Sequence, residues 1–121
     1  MSNTTILVVD DNLIIRKILT NTLEKDGYAV VAVSSGEDAL EYTRNGTVGC
    51  MILDLHMDGL SGYDVLEHLA KNGPEIPVIV LSADWQEATR KRVEELGALG
   101  FLNKPPNKNE LKTAIEQALN R

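Results

Sequence analysis

The hydrophobic positions of this chain fall into short apolar runs that alternate with segments of helical periodicity. Apolar runs rich in β-branched residues predict strands over 6–9, 28–33, 50–53, 77–81 and, in a shorter form, 100–102. After each run, apolar residues recur three and four positions apart, which predicts a helix. Strands that alternate with helices predict an α/β fold, a doubly wound parallel sheet with helices on both faces.

Capping and breaking residues delimit the five predicted helices. The predicted starts lie at Asp11-Asn12, Ser35, Asp84 and Asn107, and the predicted ends at Gly27, Gly46, Gly73 and Gly97. The residues that the first helix should bury are Ile14, Ile15, Ile18, Leu19 and Leu23. The last helix should bury one apolar stripe, formed by Leu111, Ala114, Ile115, Ala118 and Leu119.

Composition excludes several classes of protein. The 121 residues suit one domain with its own core, and the formal net charge of -6 argues against broad nucleic-acid binding and against anionic membranes. No apolar run approaches the roughly 20 residues of a membrane span, and no signal peptide is visible. Cys50, the only cysteine, is expected to be buried and inert. A cytoplasmic location fits these features.

Polar residues follow four of the five predicted strands. Asp10 and Asp11 follow the first strand and Asp54 the third, while Ser82 ends the fourth and Lys104 comes after the fifth. Because ligands of parallel α/β sheets bind at the carboxyl ends of the strands, these side chains are expected to meet at one edge.

Three carboxylates at one edge would repel one another unless a cation neutralised them. Carboxylate oxygens suit Mg²⁺, which binds few protein ligands and keeps several waters. Together with a lysine and a hydroxyl, such a site could stabilise charge on a phosphoryl group. One carboxylate oxygen could then attack phosphorus and form an aspartyl phosphate.

The segments VVDDN, ILDLHM, VLSAD and FLNKP, in this order and spacing, resemble the motifs of response-regulator receiver domains of two-component signalling. The resemblance extends over essentially the whole chain and implies one receiver domain over 1–121. It also implies the strand order 2-1-3-4-5 in a flavodoxin-like sheet flanked by five helices.

The resemblance implies a role for each residue at the strand ends. Asp54 would be the phosphoacceptor and, with Asp11 and the backbone carbonyl of His56, would bind Mg²⁺ directly. Asp10 would act largely through a metal-bound water, and Lys104 would contact the phosphoryl group. The peptide bond between this lysine and the proline after it is expected to be cis.

The same resemblance implies a switch and its partners. Ser82 would close on a phosphoryl oxygen, and Phe101 would then turn inward and alter the face formed by helix four, strand five and helix five. The donor would be a histidine kinase or phosphotransfer protein and the target another protein, with no direct contact to nucleic acid or membrane. The chain would be a phosphorylation switch that catalyses only its own phosphorylation and dephosphorylation.

Three positions near the site mark departures or points of tuning. Asp58 stands four residues after Asp54, where receivers usually have proline, and it is either a metal-affinity determinant or a solvent-exposed loop acid. His56 and Asp84 occupy places that tune phosphate lifetime in the family. His68, Tyr63 and Trp85 are expected to be surface or partner-contact residues.

Several alternatives remain open at this stage. The chain could be a free-standing, chemotaxis-type receiver, a receiver cut from a larger regulator or hybrid kinase, or an unphosphorylated interaction module. An FMN protein of the same architecture would need a Ser/Thr/Gly-rich loop where this chain has Asp10-Asp11-Asn12. A haloacid-dehalogenase-type phosphatase would need a second acid at the place of His56.

Overall fold

The computed structural model describes residues 4–84 and 86–120, and Trp85 lies outside them. The strands are β1 (Thr5–Val9), β2 (Ala29–Val33), β3 (Cys50–Asp54), β4 (Val78–Ser82) and β5 (Gly100–Asn103). The helices are α1 (Leu13–Lys25), α2 (Gly36–Asn45), α3 (Gly62–Asn72), α4 (Glu87–Glu95) and α5 (Lys108–Leu119). Strands and helices therefore alternate along the whole described chain.

All strand pairs are parallel, and the order is β2-β1-β3-β4-β5, which confirms the predicted fold and order. In the register, Val9 of β1 lies beside Leu53 of β3, and Ser82 of β4 lies beside Asn103 of β5. The carboxyl ends of β1, β3, β4 and β5 consequently reach the same edge of the sheet.

The sheet separates two hydrophobic clusters, one on each face. Leu7, Met51 and Val80 belong to the cluster that includes residues of α2 and α3. Ile6, Ile52 and Leu81 point to the other face, where residues of α1 and α5 complete the second cluster. Because β3 and β4 are covered on both sides, their sequences are continuously apolar rather than alternating.

The helix starts follow local capping. Asn12 caps α1 by accepting the N–H of Ile15 at 3.0 Å, and Ser35 caps α2 by accepting the N–H of Asp38 at 3.1 Å. α4 begins at Glu87, later than the predicted start at Asp84, and its cap residue Gln86 provides no side-chain hydrogen bond.

The prediction that α1 buries Ile14 and Ile18 is wrong. Leu19 and Leu23 are 1% exposed, whereas Ile14 is 65% exposed and Ile18 is 50% exposed. Successive residues turn by about 100° around a helix, so Ile18 lies roughly a quarter turn from Leu19 and outside the arc that the sheet covers. The stripe of α5 is as predicted, with Leu111, Ile115 and Ala118 buried and its other members partly buried.

None of the helices in the described ranges has the length and apolar character needed to cross a membrane.

Candidate functional site

The polar residues at the strand ends form one cluster. A carboxylate oxygen from each of Asp10, Asp11 and Asp54 lies within 4.8 Å of the others. Asp10 and Asp54 are buried, whereas Asp11 is exposed. Lys104, which enters from the loop after β5, inserts its ammonium between the two buried acids.

Every polar group of Asp10 has a polar or charged neighbour. Its N–H donates to the Val33 carbonyl at 3.2 Å, and its Oδ1 accepts the N–H of Asn12 at 2.9 Å. Arg16 Nη1 donates to the Asp10 carbonyl at 2.7 Å. Lys104 Nζ lies 2.9 Å from Oδ2 as a charge contact, since no donor in the described chain is aligned with that buried oxygen. Sequence reasoning missed Arg16, which no motif marks.

Asp54 combines burial with two opposing charges. Its Oδ1 lies 3.3 Å from Lys104 Nζ and accepts the backbone N–H of His56 at 3.4 Å. Burial, followed by the nearby Asp10 carboxylate, raises the pKa of Asp54, although Lys104 and the His56 N–H act against the rise. A second cation near Asp54 would therefore favour its ionised form.

Lys104 shows the complementary balance. Burial alone would lower the pKa of Lys104, but the close contact with the Asp10 carboxylate, followed by the charge of Asp54, outweighs burial and raises that pKa. The lysine therefore stays charged at neutral pH. The Lys104-Pro105 peptide is cis, as the resemblance implied.

The donor set fits a hard divalent cation such as Mg²⁺. It contains only oxygen atoms, and Asp10 Oδ2 is buried without an aligned donor. Lys104 pairs with two of the three carboxylates and carries a single positive charge, so the cluster keeps negative charge for a further cation.

Ser82 ends β4 beside this cluster and is fully buried. Its Oγ accepts the N–H of Asp84 at 2.9 Å. The Asp84 carboxylate accepts the Gln86 N–H at 3.0 Å and the Thr89 hydroxyl at 2.8 Å, and these two bonds, in that order, lower the pKa of Asp84. Thr89, on α4, was not singled out by sequence reasoning.

The model of the response regulator receiver domain family matches residues 6–116. The chain belongs to this family.

Relatives agree with the assignment. The protein named "Probable transcriptional regulator ycf27" in Guillardia theta is 39% identical over 116 residues, which are 96% of this chain and 45% of the relative. Nodulation protein W of Bradyrhizobium diazoefficiens is 34% identical over 116 residues, 96% of this chain and 51% of the relative. The chain thus spans about half the length of these relatives.

A solved structure gives the same family. The receiver domain of the Francisella response regulator 1452 superposes with a TM-score of 0.93 at 26% identity and covers 98% of each chain.

The other predicted site residues differ in their exposure to solvent. Phe101 is half-buried and lines a groove of about 440 Å³ between β5 and α5. His56 and Asp58 are exposed, and Asp58 is not part of the carboxylate cluster, which favours its interpretation as a loop acid. Cys50 is buried, and burial raises its pKa to about 12, as expected for an inert thiol.

The start of α3 packs against the end of β3, where Asp54 lies. Gly62 donates its N–H to the Leu55 carbonyl at 2.9 Å, and a Cβ at Gly62 would lie 2.5 Å from the Asp54 carbonyl oxygen. Ser61 and Asp64 form a capping box at the start of α3. Because Gly62 has no Cβ, α3 can pack closely against the end of β3. The spacing of residues in the sequence did not reveal this role.

Proposed function

We propose that the chain is a phosphorylatable receiver domain over 1–121 and that Asp54 is its phosphoacceptor. The observation that supports this best is the position of Asp54, 3.3 Å from Lys104 Nζ and with an oxygen within 4.8 Å of oxygens of Asp10 and Asp11. The partly exposed Lys104 contacts the carboxylates of both Asp54 and Asp10, so its positive charge is available beside Asp54 to stabilise a phosphoryl group.

The proposed reaction is a displacement at phosphorus. An Asp54 carboxylate oxygen forms a bond to phosphorus while the bond from phosphorus to the donor atom breaks, and the leaving group keeps that electron pair. Lys104 and Ser82 hydrogen-bond the phosphoryl oxygens. Hydrolysis later returns the carboxylate and releases phosphate, so the chain catalyses only its own modification and its own recovery.

Mg²⁺, when bound, would stabilise negative charge on the phosphoryl oxygens. Asp11, Asp54 and the His56 backbone carbonyl would hold it. Asp10 would contribute mainly through a bound water, because its carboxylate already contacts Lys104 and the Asn12 N–H.

The surface beside the site supports a protein donor. Leu13, Ile14 and Ile18 of α1 are at least half exposed, and α1 begins directly after the Asp11-Asn12 segment. An apolar surface at this place suits the docking of a histidine kinase or phosphotransfer protein. A cytoplasmic location is part of this proposal.

The output is proposed to pass through Ser82 and Phe101 to the face of α4, β5 and α5, which would bind a protein partner. The name of the Guillardia theta relative, a probable transcriptional regulator, supports a role in gene control, and a chemotaxis-type role stays a prediction. His56 and Asp84 are proposed to tune the phosphate lifetime, and Asp58 to affect Mg²⁺ binding little.

The proposal is tested by incubation with acetyl phosphate and Mg²⁺ followed by intact-mass measurement. The wild type should gain the mass of one phosphoryl group, and Asp54→Asn should not. Asp58→Asn is the matched control, because it removes a nearby exposed carboxylate and should still be phosphorylated. A mass gain that persists in Asp54→Asn would refute the assignment.

A further inference from the structure

Two hydrogen bonds, both made by Asp84, connect Ser82 to Thr89 on the inner face of α4. The Ser82 Oγ accepts the Asp84 N–H at 2.9 Å, and the Thr89 hydroxyl donates to Asp84 Oδ2 at 2.8 Å. The Gln86 N–H holds the other carboxylate oxygen at 3.0 Å. Both residues that these bonds connect are buried, since Ser82 is 0% and Thr89 is 8% exposed.

In the first of these bonds the Ser82 hydroxyl is the acceptor, so its own hydrogen is not used. A serine oxygen that accepts a hydrogen bond can still donate its own hydrogen. With the Asp84 N–H on one lone pair, the range of directions for the Ser82 O–H is narrowed. This hydroxyl is the group that the proposed function assigns to a phosphoryl oxygen on Asp54.

The Asp84 carboxylate is bonded in turn to Thr89. No cap side chain anchors the start of α4, because Gln86 makes no such bond. Instead, the carboxylate of Asp84, two residues before Gln86, accepts the Gln86 N–H. The hydroxyl of Thr89 is the only side-chain donor to this carboxylate among the described residues. Thr89 also packs on the inner side of α4, together with Val93, so its hydroxyl has little freedom to leave.

We propose that Thr89 is a positioning residue for phosphorylation, acting through Asp84 on the Ser82 hydroxyl. The inference rests on the proposed function of Asp54. It adds a residue that does not touch the phosphoryl group but orients one that does. A purely structural role for Thr89, as a stabiliser of α4, is the competing explanation.

The test compares phosphorylation rates with acetyl phosphate and Mg²⁺ in Thr89→Val, which keeps the shape and removes the hydroxyl. We expect the rate to fall about three- to tenfold, the range that one net hydrogen bond is worth. Thr89→Ser, which restores the hydroxyl, should recover most of the rate. The matched control is Thr43→Val, which removes a buried hydroxyl that bonds the Leu40 carbonyl at 2.8 Å on α2.

A double-mutant comparison separates positioning from structure. In a Ser82→Ala background, Thr89→Val should cause no further loss, because the hydroxyl that it orients is absent. A fall of the same size in that background, or a wild-type rate in Thr89→Val, would overturn the inference. Equal falls in Thr89→Val and Thr43→Val would do the same, because they would indicate general destabilisation.

Failure of the underlying function looks different. If the wild type gains no Asp54-dependent mass, the proposed function fails and the positioning role fails with it. If the wild type is phosphorylated on Asp54 but Thr89→Val reacts equally fast, only the positioning role is refuted.

Discussion

Replacing Lys104 with methionine should destabilise the metal-free protein. Its ammonium lies 2.9 Å from Asp10 Oδ2 and 3.3 Å from Asp54 Oδ1, and those side chains are only 1% and 4% exposed. Removal of one partner from a buried ion pair costs about 3–5 kcal/mol. Because the lysine side chain keeps 19% exposure, we expect a value at the lower end of that range, about 3 kcal/mol.

The measurement is urea unfolding at neutral pH in EDTA and again in saturating Mg²⁺. Bound cation should offset part of the loss, because it would neutralise the carboxylates that lysine no longer pairs. Lys112→Met is the control: this exposed lysine on α5 should change stability by less than about 0.5 kcal/mol. A loss below about 1 kcal/mol for Lys104→Met, or an equal loss with and without Mg²⁺, would refute the reasoning.

The pH dependence has a definite sign. The pKa of Asp54 is raised by burial and then by Asp10, while Lys104 lowers it, so removal of the lysine raises it further. A carboxyl whose pKa is higher in the folded than in the unfolded state destabilises folding above its folded pKa and does so less as the pH falls through it. The stability difference between Lys104→Met and wild type should therefore narrow on acidification from neutrality. A constant difference would locate the cause elsewhere.

Four further substitutions test other parts of the structure. Gly62→Ala should lower both stability and phosphorylation, as measured by urea unfolding and mass gain, because the new Cβ would lie 2.5 Å from the Asp54 carbonyl oxygen. Hydrogen bonds from Ser61 lower the pKa of Asp64, so the ionised Asp64 stabilises the folded protein above the unfolded aspartate pKa, and this stabilisation is lost as the pH falls through the folded pKa. When unfolding free energy is measured against pH, Asp64→Asn should therefore lose less stability on acidification than the wild type does. Ile14→Gln should change unfolding free energy by less than about 0.5 kcal/mol, whereas Leu19→Ala should cost about 2–5 kcal/mol, because only the second residue is buried.

The sequence was sufficient for the architecture because its strongest signals are local and repeated. Continuous apolar runs such as 50–53 are typical of strands covered on both faces, and the helical periods between them require parallel crossovers. Once the strands are parallel, their carboxyl ends share an edge. Asp10, Asp11, Asp54 and Lys104 could therefore be grouped from their places after the strands, and the structure brings them together.

The tertiary structure decided which neighbours each residue meets. Residue type marked Ile14 and Ile18 as core, but the sheet covers only part of the apolar arc of α1. Likewise, the contacts of Arg16 with the Asp10 carbonyl and of Thr89 with Asp84 depend on where a loop turns and how a helix begins. The periodicity of the sequence shows where apolar and polar residues recur. These hydrogen bonds depend instead on the exact positions of atoms from separate segments, which only the packed chain determines.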